Sequence, residues 1–269
     1  MLYQLAFGYF VGKKPNGWTN LLLVTICLFI PVVGPLVLMG YRAEVAERLT
    51  RDPDLRKHPD FAFDRFMELL TRGLWPFLIQ LIGSFVLVPF ALVAIFGAIG
   101  LGAAINQPVI GMILGFLAYM LILLVGSAVL VPMVFHAELA NRFDVGGGFR
   151  FAVSFLKLVG GKAIVTYVVF SLLTIPIVFV GLLLCFVGVY PASVVAMMAG
   201  QHLMVQLYLD YLDRGGEEIE KTETEQERRR SRRVARSPLP PPYLVALLAG
   251  RRLLPHPRQK RPEFRRHPQ

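Results

Sequence analysis

Three long stretches of the chain lack charge, and that pattern predicts its elements. No Asp, Glu, Lys or Arg occurs in Pro15–Tyr41 (27 residues), Gly73–Ala137 (65) or Ala163–Leu209 (47). A bilayer core takes about 20 apolar residues per helix. The second and third runs are therefore each long enough for two spans, and the first for one. The 65-residue run breaks at "GLGAAINQP", Gly100–Pro108, where Gly, Asn and Pro favour a tight turn. This predicts spans over about 73–99 and 109–135. The 47-residue run breaks at "CFVGVYP", Cys185–Pro191, predicting spans over about 163–184 and 192–208. The expected fold is all-α: a polytopic membrane helix bundle with four full spans, a broken or re-entrant N-terminal segment over 18–41, and interfacial amphipathic helices.

The N-terminal run contains "IPVVGP", Ile30–Pro35. Two prolines four residues apart kink or break a helix. One reading is a single kinked span with an external N-terminus. The other, preferred because it keeps Lys13 and Lys14 on the cytoplasmic side, is a re-entrant hairpin turning at Pro31–Pro35. Exposed non-helical backbone is costly in lipid, so such a turn needs protein around it.

A phrase recurs at the ends of the charge-free runs. "YRAEVAER" (Tyr41–Arg48) and "FHAELANR" (Phe135–Arg142) stand 94 residues apart. Each is followed by an amphipathic stretch, "FAFDRFMELLTR" (Phe61–Arg72) and "FRFAVSFLKLVGGK" (Phe149–Lys162). At an offset of 87, Gly73 then matches Gly160 and Pro89 matches Pro176. The unit is an outgoing helix, an Ala-Glu exit, an amphipathic segment and a return span, repeated in tandem. Glu44 with Arg48, and Glu138 with Arg142, stand four apart and are expected to pair on the helix surface, at about 0.2–0.5 kcal/mol each. A less favoured reading makes Glu44 and Glu138 facing, pseudo-symmetric carboxylates.

Composition sharpens this. The chain has 269 residues, 55% hydrophobic and 17% charged, with a mean hydropathy of +0.57. Its net charge of +10 comes mostly from the C-terminal tail. Arg42–Arg72 holds seven Lys or Arg, His136–Lys162 four, and the chain after Tyr211 fifteen, whereas both predicted turns hold none. By the positive-inside rule the hairpins, about 73–135 and 163–208, dip outward from the cytoplasm. The expected localisation is the cell membrane, multi-pass, with a cytoplasmic tail. Cys27 and Cys185 both lie in apolar runs and read as small hydrophobes.

The stretches "NGWTNLLLVTICLFIPVVGPLVLMGY" (Asn16–Tyr41) and "DFAFDRFMELLTRGLWPFLIQLI" (Asp60–Ile82) resemble the membrane family called domain of unknown function 4013. The shared features are an Asn before an apolar run, an "IPxxGP" break, a Gly-Tyr exit and a Phe/Trp-rich amphipathic segment. The likeness is good over about residues 5–90 and looser to about 212. It implies a prokaryotic multi-pass membrane protein and carries over no catalytic or binding residues.

Candidate chemistry is sparse. Polar residues within the spans are Gln80, Ser84, Ser127, Ser171, Thr174, Gln201, His202 and Gln206, with His136 near an exit. Gln80, Gln201, His202 and Gln206 are the candidate polar pathway, and interhelical hydrogen bonding is the alternative use of the same groups. Gly111 and Gly115 form a G-x-x-x-G, and Ala98 and Gly102 a second pair of small residues, serving close packing within the chain or between copies. "DVGGGF" (Asp144–Phe149) reads as a flexible loop. The acids and His58 of "RDPDLRKHPD" read as solvated. No enzyme motif, metal-ligand spacing or cofactor box is present, so no enzyme, metal or cofactor is expected.

Residues 1–212 form the expected membrane domain and 213–269 a disordered basic tail. In the tail, Arg228, Arg229, Arg230, Arg232, Arg233 and Arg236 are candidate contacts for anionic lipid, at about 1 kcal/mol each near the surface. The functional expectation is a non-enzymatic membrane organiser or scaffold that engages inner-leaflet lipid or a partner. The alternative is a small transporter or channel with a pathway near Gln201, His202 and Gln206. Membrane lipid is the expected partner, with a second copy or another membrane protein as further options; nucleic acid is not expected.

Overall fold

The computed structural model describes residues 2–12, 16–52, 58–184 and 187–221. Among them every regular element is helical: α1 (Tyr3–Gly8), α2 (Gly17–Leu28), α3 (Val33–Arg51), α4 (Phe66–Ala104, entered through a 3-10 turn at Phe63–Arg65), α5 (Pro108–Ala140), α6 (Val145–Leu183) and α7 (Val189–Asp213). Residues 63–104 and helices α5, α6 and α7 are long and apolar enough to cross a membrane. The four predicted spans lie within these helices, and the two predicted breaks fall where α4 gives way to α5 and α6 to α7.

α4 and α6 have 39 residues each. At 1.5 Å per residue that is about 58 Å, nearly twice the roughly 30 Å of a hydrocarbon core. The excess has a sequence cause. The amphipathic stretches before Gly73 and Gly160 contain no helix breaker, so they form the first turns of the same helices as the spans. The Gly-rich run after Asp144 joins α6 as well, which corrects the loop expected there. The Asp144 carboxylate accepts the Gly147 main-chain N–H at 2.7 Å, and this N-cap starts the helix.

The N-terminal apolar run is broken. α2 has 12 residues, about 18 Å, too short to cross. The chain turns at Pro31–Val33, where Val33 N–H donates to the Pro31 carbonyl at 2.7 Å and Val32 has φ 65° and ψ −51°. This is a γ-turn of the rare, strained hand. α3 then doubles back. Asn20, near the start of α2, donates to Asp60 Oδ1 at 3.0 Å and accepts the Phe61 N–H at 3.1 Å. Tyr41, well along α3, donates to the neighbouring Pro59 carbonyl at 2.9 Å. Both arms thus return to the end of the bundle that carries the arginines, here called the basic end.

Glycines set the close packing of α3 on α4 and of α4 on α5. A Cβ on Gly40 would lie 1.8 Å from the Leu69 carbonyl oxygen, and one on Gly73 would lie 1.8 Å from that of Leu36. α3 and α4 therefore touch backbone to backbone. At the far turn, a Cβ on Gly102 would lie 2.5 Å from Gly111 Cα. The partner of the G-x-x-x-G face is α4 of the same chain. Asn106, with φ 56°, and Pro108 at the first position of α5 close that turn.

The core is concentrated at the basic end, where Tyr41, Leu49, Leu69, Phe135, Phe155, Met198, Leu207 and Tyr211 are fully buried. Toward the far turns, α4, α5 and α6 leave Phe85, Phe96, Phe116 and Phe179 exposed. Such continuous apolar faces suit lipid as the surrounding solvent.

Candidate functional site

The glycine crossing brings the Ala-Glu exit of α3 against the first turns of α4. Arg72 hydrogen-bonds the Glu47 carboxylate and, at 3.2 Å, the Ala43 carbonyl. Arg65 reaches Glu44 at 2.8 Å and Glu68 at 2.9 Å. Burial alone would raise the Glu47 carboxyl, but the hydrogen bond from Arg72 and the charges of Arg72, Arg51 and Lys221 outweigh it and hold the group below its ordinary range.

Deeper in, α3, α5 and α7 meet at an ionic trio. Arg42 stands 3.3 Å from Glu138. Its Nη2 and Nε donate to Gln201 Oε1 at 2.7 and 3.2 Å, and Gln201 Nε2 donates to Glu138 Oε2 at 2.7 Å. The Glu138 side chain has no exposure and that of Arg42 keeps 16%. The expected surface pair of Glu138 with Arg142 is therefore not what forms. Arg142 instead pairs with Asp144 at 3.1 Å. Glu138 faces the bundle because it continues the buried face of α5 through Val134 and Phe135, where a partner had to come from another helix. Glu44 and Glu138 take different partners, Arg65 and Arg42.

The candidate pathway residues separate into three places. Gln201 belongs to the trio. One turn on, the Gln206 amide donates to His202 Nδ1 at 2.9 Å and its carbonyl accepts the Leu2 N–H at 2.9 Å. His202 packs against Tyr9, ring centroids 4.7 Å apart. Gln80 lies apart on α4, where its main-chain carbonyl accepts the Ser84 hydroxyl at 2.9 Å. Ser127 and Thr174 likewise bond carbonyls of their own helices, Leu124 at 3.0 Å and Phe170 at 2.8 Å, a local use of hydroxyls that needs no neighbouring helix.

A cleft of about 670 Å³ opens between α5, α6 and α7, with Arg42 and Gln201 on its wall and Ser127, Ser171 and Thr174 among otherwise apolar neighbours. The loop before α4 is less solvated than expected. His58 is buried and packs on Tyr9 and Phe10, centroids 5.1 and 5.6 Å away, and Asp60 is clamped by Asn16 and Asn20. Among the described residues no three His, Cys, Asp or Glu side chains are grouped to hold a metal ion. After α7 the chain folds back: Ile219 N–H donates to the Tyr208 hydroxyl at 3.1 Å, and Glu217 N–H to that of Tyr211 at 3.1 Å. The six arginines of 228–236 lie outside the described residues, as do Lys13, Lys14 and Cys185.

Sequence reasoning missed Arg42 and Glu138 as a pair, and His58 as a core residue. The available signal was position: Arg42 directly follows one charge-free run and Glu138 directly follows another.

Four long apolar helices, a broken N-terminal hairpin and an ion pair among the helices define an all-α, multi-pass membrane protein. More narrowly, the chain belongs to the family described as protein of unknown function (DUF4013), whose model matches residues 23–189. No curated protein and no solved structure matches it.

Proposed function

We propose that this protein is a non-enzymatic membrane organiser, held rigid at its basic end and engaging lipid there. The observation that supports this most is the use made of the polar groups in the helices. Gln201 accepts from Arg42 and donates to Glu138, joining α3, α5 and α7, and Gln206 ties α7 to the N-terminus at Leu2. Groups spent on joining helices rigidify a bundle. They leave the apolar faces to lipid and the arginines of α3 and α4 at one end. In this reading that end is cytoplasmic, as the distribution of Lys and Arg suggests.

A second reading, a small transporter, is favoured by one feature. An ionisable pair within membrane helices marks substrate or proton pathways by default, and Arg42 lies on the wall of the 670 Å³ cleft. Proteoliposomes loaded with small ions, amino acids or a pH dye separate the two. Background flux from wild type, unchanged in His202→Ala and Glu138→Gln, is the organiser's result. Flux above background that either substitution abolishes would establish the transporter.

A further inference from the structure

Between the start of α6 and the end of α7 lies a second, polar pocket of about 330 Å³, small on the scale of ligand sites, which run about 300–1,000 Å³. His136, Arg142 and Arg150 contribute to its lining, as do Glu217, Glu218 and Glu220 from the segment that folds back after α7. The Ser154 and Tyr211 hydroxyls, 3.2 Å apart, also line it. His136 is only 7% exposed, and its Nδ1 has no hydrogen-bond partner. A buried polar atom left in that state costs about 1–3 kcal/mol, so a polar atom entering the pocket would relieve it.

The charges narrow the ligand. A bare anion would find two guanidiniums, one of them already paired with Asp144, but also four carboxylates, those of Asp144 and the three glutamates. A bare cation would find the glutamates but also two arginines. A metal ion lacks a grouped ligand set among the described residues. A zwitterion that carries phosphate and primary ammonium a few bonds apart meets both signs. The surroundings say where such a group comes from. Phe143 and Phe149, close to the pocket in sequence, are exposed, and Trp75 packs on Phe143 with ring centroids 6.2 Å apart. The half-buried Trp75 is the amphipathic kind of ring that sits at the headgroup level of a bilayer.

We infer that this pocket binds the phosphoethanolamine headgroup of an amine phospholipid, with the phosphate toward Arg142 and Arg150 and the ammonium toward the glutamates. The inference rests on the lipid-engaging reading above and names the lipid. The test is native mass spectrometry of the full chain, released from detergent with equal amounts of phospholipids of identical acyl chains and ethanolamine, choline or glycerol headgroups. The ethanolamine lipid should be retained about tenfold over the choline lipid, because a quaternary ammonium cannot donate hydrogen bonds to carboxylates. Glu218→Gln with Glu220→Gln should erase that preference. Arg142→Gln with Arg150→Gln should lower retention of every phospholipid. All four side chains belong to exposed residues, so these variants should keep the helix content of wild type.

Soluble phosphoethanolamine at millimolar concentration should compete, and inorganic phosphate should not. Equal retention of the three lipids, a preference for the glycerol lipid, or competition by phosphate alone overturns the assignment. The flux measurement on the same preparation keeps the two readings apart. Flux lost in His202→Ala sinks the organiser, whereas no flux together with no lipid preference sinks only the headgroup site.

Discussion

Glu44 and Glu138 occupy the same place in two copies of one phrase, yet their surroundings differ. The Glu44 side chain keeps 18% exposure and takes Arg65 from the next helix. That of Glu138 keeps none and takes Arg42 from the other copy. Gly73 and Gly160 repeat the contrast. The first lies against the α3 backbone, while a Cβ on the second would meet only the Leu156 side chain, at 3.7 Å. A tandem repeat thus supplies equal sequence and unequal burial. The first copy's exit helix packs on α4, α5 and α7, and the second copy's exit lies inside that arrangement. What a residue does here is decided by which neighbours its copy meets.

The glycines offer the sharpest way to break the comparison. Gly73→Ala places a methyl group against a main-chain carbonyl that has nowhere to go. It should cost about 3 kcal/mol or more, at or beyond the usual roughly 1–3 kcal/mol for overpacking. Gly160→Ala should be neutral or stabilise by up to about 1 kcal/mol, through helix propensity. Unfolding of both variants in detergent, followed by circular dichroism, checks this. Equal losses would mean that the two glycines sit in equivalent surroundings.

The glutamates come next. Glu138→Ala leaves Arg42 without its counter-ion inside the bundle and should cost about 2–3 kcal/mol. This is below the roughly 3–5 kcal/mol typical of a fully buried pair, because Arg42 retains some exposure. Glu44→Ala should cost about 1 kcal/mol or less, because Arg65 keeps 34% exposure and a second partner in Glu68. Arg42→Met combined with Glu138→Leu and Gln201→Leu should cost less than Glu138→Ala alone, since no charge is then stranded. If the triple variant is the worse one, the trio contributes net stability beyond mutual compensation.

Much of this fold is legible in the amino-acid sequence, and the reason is local. Charge-free runs, turn residues and the proline pair act over short distances, so the spans, the turns and the N-terminal break follow from them directly. The small residues of α4 and α5 are visible as a packing motif. Their partner is not, because spacing along one helix does not say which helix it meets. Glu138 escapes for the same cause: the four-residue rule points to Arg142, and the actual partner is 96 positions away at Arg42. The Gly-rich run after Asp144 misleads because Gly is a poor helix former. An N-cap and packing of Gly148 on Met133, with 3.6 Å of clearance for a Cβ, outweigh that propensity.

The smallest effect separates the copies by pH. α6 begins on a carboxylate cap, whereas α4 begins with no side-chain cap. The Asp144 carboxyl is held below its usual range, first by the Gly147 N–H, which outweighs the opposing effect of burial, and then by the charges of Arg142, His136 and Arg150. A depressed folded value means that the stabilisation is complete above the unfolded value, near about pH 4, and is lost as pH falls through the lower folded value. Asp144→Ala should therefore lower stability by about 1 kcal/mol at about pH 7. The gap from wild type should narrow as pH drops below about 4. Asp144→Asn, an equally good cap without the charge, should show a smaller deficit and less of this narrowing. Hydrogen exchange at the amides of residues 146–149 reports it directly: lower protection, relative to the intrinsic rate at each pH, at low pH in wild type, with no matching change at 66–69, places the titrating cap in the second copy alone.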